Sequence, residues 1–398
     1  MSVTFEGVTR RYEGVDVIDD LYLDVPDGSF TVVTGPPKSG KSVLFRMLVG
    51  LETPDAGRIL IDDEDIAAQK APERRVGYVP QSFALYPHMS VARNIGYPMA
   101  LARASKADIA GRVDWAASML AISHLLEKTP DQLSGGEKQR VAVARGLLKE
   151  ADVFVFDDPL VGLDYKLRER LMDDLRELRA ELGKTFLYGT ADSVEAMTLA
   201  TRIVVLDGGR VVQEGPTESV YVAPRHPRAM ELVGFPRANL LSGRIEEGIL
   251  RAGPISLPVE ETETEPYGSR DRAPGMSADD APNDGAMESR PRSGAATVGF
   301  RPEALRLVDA AVGEEWRATE SIVLDVVVRL VEDLGSEIVV YVEADEGTLL
   351  TAVFAAGDRA PPALGATLTA RMHRGDVRLF PADIEAPASG TMHAGGHA

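Results

Sequence analysis

The octapeptide GPPKSGKS, residues 35–42, restricts the fold more than any other stretch, because it lies between the apolar run SFTVVT and a segment that reads as helix from about Lys41. The spacing G-x-x-x-x-G-K-[ST] can wrap backbone N–H groups around a phosphate chain when a strand leads into the loop and a helix N-terminus leaves it. Both conditions hold here, so the segment predicts a nucleotide-binding loop rather than a chance turn containing Gly and Lys. In that reading Gly35, Pro36, Pro37, Lys38, Ser39 and Gly40 form the cradle, Lys41 meets the β- and γ-phosphates, and Ser42 offers its hydroxyl oxygen to Mg²⁺.

The stretches VGYVPQ, DVFVFDDP, TFLYGT and RIVVLDGGRVVQEG alternate with helical patterns, which predicts an α/β layer with a mostly parallel sheet. Within YKLRERLMDDLRELRAEL, the residues Leu167, Leu171, Leu175, Leu178 and Leu182 recur at spacings of three and four, the mark of one buried helix face. VFVFDDP ends a strand on Asp157 and Asp158, and the carboxyl ends of strands are where such sheets hold ligands. Asp157 is the natural Mg²⁺ partner of Ser42, and Asp158 the group to orient or deprotonate an attacking water, although two acids closing a strand also form ordinary turns. LSGGEKQR, residues 133–140, heads another helix: Ser134 and Glu137 have capping-box spacing, and the two glycines leave bare N–H groups that a phosphate could approach.

Beyond about Phe235 the texture changes. The short β-like runs LLSGRI, ATVGFRP, SIVLDVVVRL, SEIVVYVEA, TLLTAVF and DVRLFP predict a small barrel or sandwich. We therefore expect a nucleotide-binding domain over 1–235, with a helical subdomain at about 83–150, and a second domain over 236–386. An acidic, Pro- and Gly-rich insertion at about 260–295 and a tail at 387–398 are expected to be disordered and flexible. A net charge of −19 argues against a protein whose main task is to grip nucleic acid, and the β region lacks a basic stripe with interleaved aromatics. The chain has no cysteine, which removes disulfides and thiolate chemistry and is compatible with a reducing cytoplasm. MSVTFEGVTRRYEG carries no signal-peptide core and no run reaches the ~18 apolar residues of a membrane helix, so a partner would have to hold the protein at any membrane.

Together, GPPKSGKS, LSGGEKQR and VFVFDDP, in this order, resemble the ATP-binding subunits of ABC transporters, and most closely the branch of carbohydrate-importer ATPases that includes the maltose and glycerol-phosphate systems. The resemblance implies a RecA-like core with a helical subdomain and a C-terminal oligonucleotide-binding-like (TOBE) domain used for regulation and dimer contact. VGFRPEALRL and VEDLGSEIVVYVEA fit that second domain. It also implies that Tyr12 stacks on adenine, that Gln81 belongs to a glutamine loop that joins Ser42 and Asp157 at Mg²⁺, and that Asp164 communicates between paired subunits. Leu133, Ser134, Gly135, Gly136 and Glu137 would serve the ATP bound by the opposite subunit. Implied cofactors are ATP and Mg²⁺. Implied partners are a second ATPase, two permease subunits docking near Phe83–Met89 and, indirectly, a solute-binding protein, at the cytoplasmic face of the inner membrane.

The chain departs from the resemblance where hydrolysis would occur. The family places glutamate where Asp158 stands, and histidine where Ala191 stands in FLYGTADSVEAM; Lys38 occupies a position that usually holds a small residue. Pulling a carboxylate back by roughly 1 Å can cost about 10²-fold in rate, and losing one transition-state donor about 10²- to 10³-fold. The sequence thus predicts a subunit that binds Mg-ATP and hydrolyses it weakly, working as the degenerate half of a heterodimer. A slow self-sufficient homodimer and a cytoplasmic ABC protein without a permease, acting as a nucleotide-gated binding module, are the alternatives.

Overall fold

The computed structural model describes residues 1–259, 294–308 and 321–381. The chain divides into two units, 1–234 and 235–398, one residue earlier than the change in composition suggested.

Unit one contains β1 (Val3–Tyr12), β2 (Val15–Val25), β3 (Phe30–Thr34), α1 (Lys41–Val49), β4 (Ala56–Ile61), β5 (Glu64–Asp65) and β6 (Val76–Val79). It continues through α2 (Val91–Leu101), α3 (Lys106–Met119), α4 (Gly135–Leu147), β7 (Val153–Asp157), α5 (Tyr165–Leu182), β8 (Thr185–Thr190) and α6 (Ser193–Leu199). β9 (Arg202–Asp207), β10 (Arg210–Pro216), α7 (Thr217–Val222) and α8 (Pro227–Leu232) complete it. The central six-stranded sheet runs β10-β9-β3-β8-β7-β6, parallel apart from the β9–β10 hairpin.

Its parallel strands are buried on both faces, as strands under helical crossovers must be, whereas the edge strand β10 is mostly half-buried. Period-two alternation splits them between two cores. Phe30, Phe154, Phe156, Phe186 and Tyr188 face a core shared with α2–α6, whereas Val33, Val153, Val155 and Leu187 face α1 and a second, antiparallel sheet. That second sheet, β2-β1-β4-β5, was not anticipated. Its signal is the alternation in VIDDLYLDV, where Ile18, Leu21, Leu23 and Val25 are buried, and the Glu13–Gly14 turn, both residues at positive φ, that reverses β1 into β2.

On α5, Leu171, Leu175 and Leu178 are buried together with Met172, while Leu167 and Leu182 only border the core. The expected helical subdomain region is occupied by α2, α3 and α4.

Unit two is all β: β11 (Asn239–Glu246), β12 (Ile249–Ala252), β13 (Ile255–Pro258), β14 (Gly294–Phe300), β15 (Arg306–Val308), β16 (Ser321–Asp333), β17 (Glu337–Glu343), β18 (Leu349–Ala355), β19 (Thr367–His373) and β20 (Arg378–Pro381). These form two antiparallel sheets, β13-β12-β11-β14-β20 and β15-β19-β16-β17-β18, over one apolar core, an arrangement that fits an oligonucleotide-binding-like domain. The expected disorder of the insertion and tail falls outside the described residues, with one correction. Gly294 and Ala295, assigned to the insertion on composition, open β14 and pair with Ile245 and Arg244; the apolar run after them recruits them into the ladder.

Phe186 ties the central sheet together, stacked on Phe30 at 5.3 Å, Phe154 at 5.5 Å and Phe156 at 6.0 Å between ring centres. Truncating Phe186→Ala is expected to cost about 3–5 kcal/mol. Guanidinium unfolding monitored by circular dichroism should show a lower midpoint with little change in slope.

Candidate functional site

Three neighbouring strands deliver the site. β3 pairs with β8, and β8 with β7, so the loops after Thr34, Thr190 and Asp157 open side by side at the carboxyl edge of the sheet. After β3 the chain turns at Gly35, where a Cβ would lie 2.2 Å from the Leu206 carbonyl oxygen; a side chain cannot be built there without moving β9. Gly40 enters α1 at φ 108°, and the first intrahelical bond closes from Leu44 N–H to the Gly40 carbonyl at 2.9 Å. The amides of the first turn are left open for an anion.

Lys41 is buried and donates to the carbonyls of Gly35 at 2.8 Å and Pro36 at 3.2 Å. Burial pulls its ammonium pKa down, and the charges of Asp158 and Asp157 oppose that pull. Ser42 Oγ donates to Asp157 Oδ1 at 2.9 Å, and the Tyr78 hydroxyl, from the β6 strand, donates to Oδ2 at 3.2 Å. Burial raises the Asp157 carboxyl above its ordinary value despite these donors. A desolvated carboxylate against a hydroxyl, both hard oxygen donors, is what a Mg²⁺ shared with phosphates requires. The residues therefore fit the ion that the sequence implies; when bound, it would supply charge neutralisation between the phosphate oxygens.

Asp158 adopts φ 47°, a left-handed conformation, and its N–H donates to the Gly189 carbonyl at 3.0 Å. Burial raises its carboxyl above the ordinary value, against the opposing charge of Lys41. Ala191 itself presents only an exposed methyl group.

The turn around it is nonetheless firmly built. Asp192 caps α6 through Val194 N–H at 2.9 Å and Glu195 N–H at 3.1 Å, and receives Arg168 at 2.7 Å. Glu195 is buried and accepts from Tyr188 and Thr190, both at 2.8 Å. This cluster was not read from the sequence; the two-residue alternation that puts Tyr188 and Thr190 on one side of β8 was the available signal. Among the described histidines, His226 and His373 cap turns through Nδ1, His124 lies in an exposed turn, and His88 meets Tyr86 edge-on.

The remaining sequence-derived residues are placed as follows. Tyr12, 36% exposed at the end of β1, donates its hydroxyl to Glu52, and the Arg10 guanidinium lies 4.9 Å from its ring centre. Arg46, on α1, donates to the same Glu52 at 2.5 Å. Gln81 is exposed and lines, with Ser42 and Asp157, a groove of about 1150 Å³. Pro37 and Lys38 are exposed, Lys38 at φ 69°, and Ser39 N–H closes a turn on the Pro36 carbonyl at 3.1 Å.

Ser134 and Glu137 form a reciprocal capping box, with distances of 2.7 and 3.3 Å, below the buried Leu133. Gly136 backs onto Leu167, where a Cβ would come within 2.6 Å, while open space surrounds the Cβ position of Gly135. Asp164 caps α5 by accepting from Leu167 N–H at 3.0 Å. No hydrogen bond among the described residues joins 133–137 to the loop 35–42.

A strand, phosphate loop and helix with an acid-ended strand in the same sheet define a phosphate-loop nucleoside-triphosphatase domain. Residues 18–161 match the ABC transporter family and residues 298–380 the TOBE domain. The maltose/maltodextrin import ATP-binding protein MalK of Escherichia coli (strain K12) is 37% identical over 344 residues, spanning 86% of this chain and 85% of the relative. The protein of the same name from Salmonella typhi is 37% identical over 342 residues, with the same coverage. A dimeric post-hydrolysis structure of the ATP-binding cassette MJ0796, bound to ADP and Pi, is 28% identical with a TM-score of 0.51, covering 54% of this chain and 98% of that one. The chain belongs to the ATP-binding proteins of the ABC transporter family, whose members in general bind ATP with Mg²⁺. No helix among the described residues is long and apolar enough to cross a membrane.

Because the raised carboxyl of Asp158 binds its proton more readily in the folded chain than its ordinary value of 3.8 allows, the folded state holds more protons than the unfolded one between those two values. Stability therefore falls as pH rises through that window. Asp158→Asn removes this penalty and suits the left-handed backbone. The nucleotide-free variant should melt a few degrees higher than the unaltered chain at pH 7 in calorimetry, with the gain shrinking as pH falls through that window and lost below 3.8.

Proposed function

We propose that this chain is the ATP-binding subunit of an importer for a carbohydrate-like solute (a sugar, polyol or glycerol phosphate) and that it forms the catalytically weak half of an asymmetric ATPase pair. The observation that carries the proposal is the methyl side chain of Ala191, which offers no hydrogen-bond donor at the edge where Lys41 and Asp157 converge. The import direction and solute class rest on the relatives, which are named for maltose and maltodextrin import.

On this reading the phosphate loop and Lys41 bind the nucleotide, Tyr12 stacks on its adenine, and Ser42 and Asp157 with Gln81 hold Mg²⁺. Asp158 is left to orient water without a neighbouring side-chain donor. Leu133, Ser134, Gly135, Gly136 and Glu137 remain free to close on the partner ATPase's nucleotide, since open space surrounds Gly135. The partner completes its own site with them, and Asp164 lies along the shared face. Two permease subunits dock near Phe83–Met89, with a solute-binding protein beyond them, and these hold the chain at the cytoplasmic face of the membrane.

The test is Mg-ATP affinity and steady-state hydrolysis of the purified subunit, beside Asp158→Glu combined with Ala191→His. We expect binding in both and turnover at least about 10²-fold higher in the double variant, since one γ-phosphate donor is worth about that much. Brisk turnover in the unaltered chain would instead favour a self-sufficient homodimer.

A further inference from the structure

Within the loop 35–42, Gly40 and Lys38 hold positive φ, at 108° and 69°. Glycine adopts such a backbone freely, whereas lysine holds it against the clash of its own Cβ with the following carbonyl. The local bonding shows why the angle is needed. Ser39 N–H donates to the Pro36 carbonyl at 3.1 Å, which closes a four-residue turn over Pro36, Pro37, Lys38 and Ser39. Positive φ at the third residue of such a turn matches type II, whose third position ordinarily takes Gly or Asn. Pro37, in second place, has the fixed φ which that position needs and so stiffens the tip. Nothing in the turn's own bonding calls for a lysine: the backbone would form more easily with glycine in its place.

The same turn carries both lysines of the loop. Lys41 Nζ lies 3.2 Å from the Pro36 carbonyl that closes it, buried at its base, while Lys38 is exposed at its tip. Lys38 therefore starts within the length of its own flexible four-carbon stem of the Lys41 ammonium. The two cations differ in what balances them. Lys41 has the charges of Asp157 and Asp158 acting on it, whereas the Lys38 ammonium has no hydrogen bond and no ion pair among the described residues. An anion that starts at the base of the loop and extends past Lys41 to the tip would meet both ammonium groups, and a short anion would meet one.

We propose that Lys38 is a second phosphate-binding cation, which recognises the terminal phosphate of a nucleoside triphosphate and lets this chain's site tell triphosphate from diphosphate. This rests on nucleotide binding at residues 35–42, and the experiment reads that binding separately. The amides of the loop and Lys41 hold the inner part of the phosphate chain, and Lys38 folds back from the tip over its outer end. An ammonium on a flexible stem grips that phosphate before transfer as well as during it, so it raises affinity without raising rate. The contact uses neither residue 158 nor residue 191. It suits a site that keeps a triphosphate and turns it over slowly.

The test is calorimetric titration of the full chain with ADP and with AMP-PNP, which keeps a terminal phosphate and resists hydrolysis, each with Mg²⁺. Binding of neither by the unaltered chain would refute the nucleotide reading itself. Given binding, Lys38→Gly should weaken AMP-PNP about tenfold, the lower end for a charge-assisted hydrogen bond, and ADP by less than about twofold. Glycine suits the turn, so that loss cannot come from a misshapen loop. Lys38→Asn, which tolerates the left-handed backbone but carries no charge, should lose the same preference, and Lys38→Arg should keep it. A lysine that merely shapes the loop would change both affinities by one factor in Lys38→Gly, and that result would overturn the proposal. So would an unchanged AMP-PNP affinity in Lys38→Gly, or a preference for AMP-PNP that survives in Lys38→Asn.

Discussion

The contact on which the rest depends is the hydrogen bond from Ser42 to Asp157, where the first turn of α1 meets the end of β7. The two segments come from strands that are not neighbours: β8 lies between β3 and β7. A ligand that touches both must therefore pass over the end of β8, and the residue that follows β8 is Ala191. The identity of residue 191 carries so much weight because the sheet order places its backbone between the phosphate loop and the two aspartates, where the terminal phosphate of a nucleotide would have to lie.

The electrostatics of the site point the same way. Two desolvated carboxyls, both raised by burial, face one desolvated ammonium that is lowered by it. None of the three is comfortable without a ligand, and a divalent cation with a polyphosphate would relieve all of them at once. Backbone strain accompanies the charge strain, since Asp158 and Lys38 both hold positive φ without being glycine.

Much of this was legible in the residues, for identifiable reasons. The phosphate loop, the acid-ended strand and the capping box could be read because each is local: spacing along the chain alone brings Gly35 near Lys41 and Ser134 near Glu137. The resemblance they carry led to the ABC fold and the C-terminal β domain. The antiparallel sheet of β1, β2, β4 and β5 was missed because its pairing is long-range, Val3 with both Val25 and Ile61, and its alternation is interrupted by register shifts. The anchoring cluster of Arg168, Asp192, Glu195 and Tyr188 was invisible for the same reason, since a buried glutamate in EAM looks like any solvated helix residue until β8 and α5 are folded against it.

Binding and turnover draw on different parts of this architecture. On the proposed reading, binding uses backbone amides, Lys41, Ser42 and Asp157, which stand on α1 and at the end of β7. On the same reading turnover uses the side chains at 158 and 191, and either can be shortened or removed while the backbone bond from Asp158 N–H to the Gly189 carbonyl is kept. A site can therefore lose rate without losing affinity, and the capping box of α4, built from neither group, is untouched by the loss. On the proposed reading, closure over this chain's nucleotide would outlast closure over the partner's, so that one site holds the pair together while the other opens and closes with each turnover.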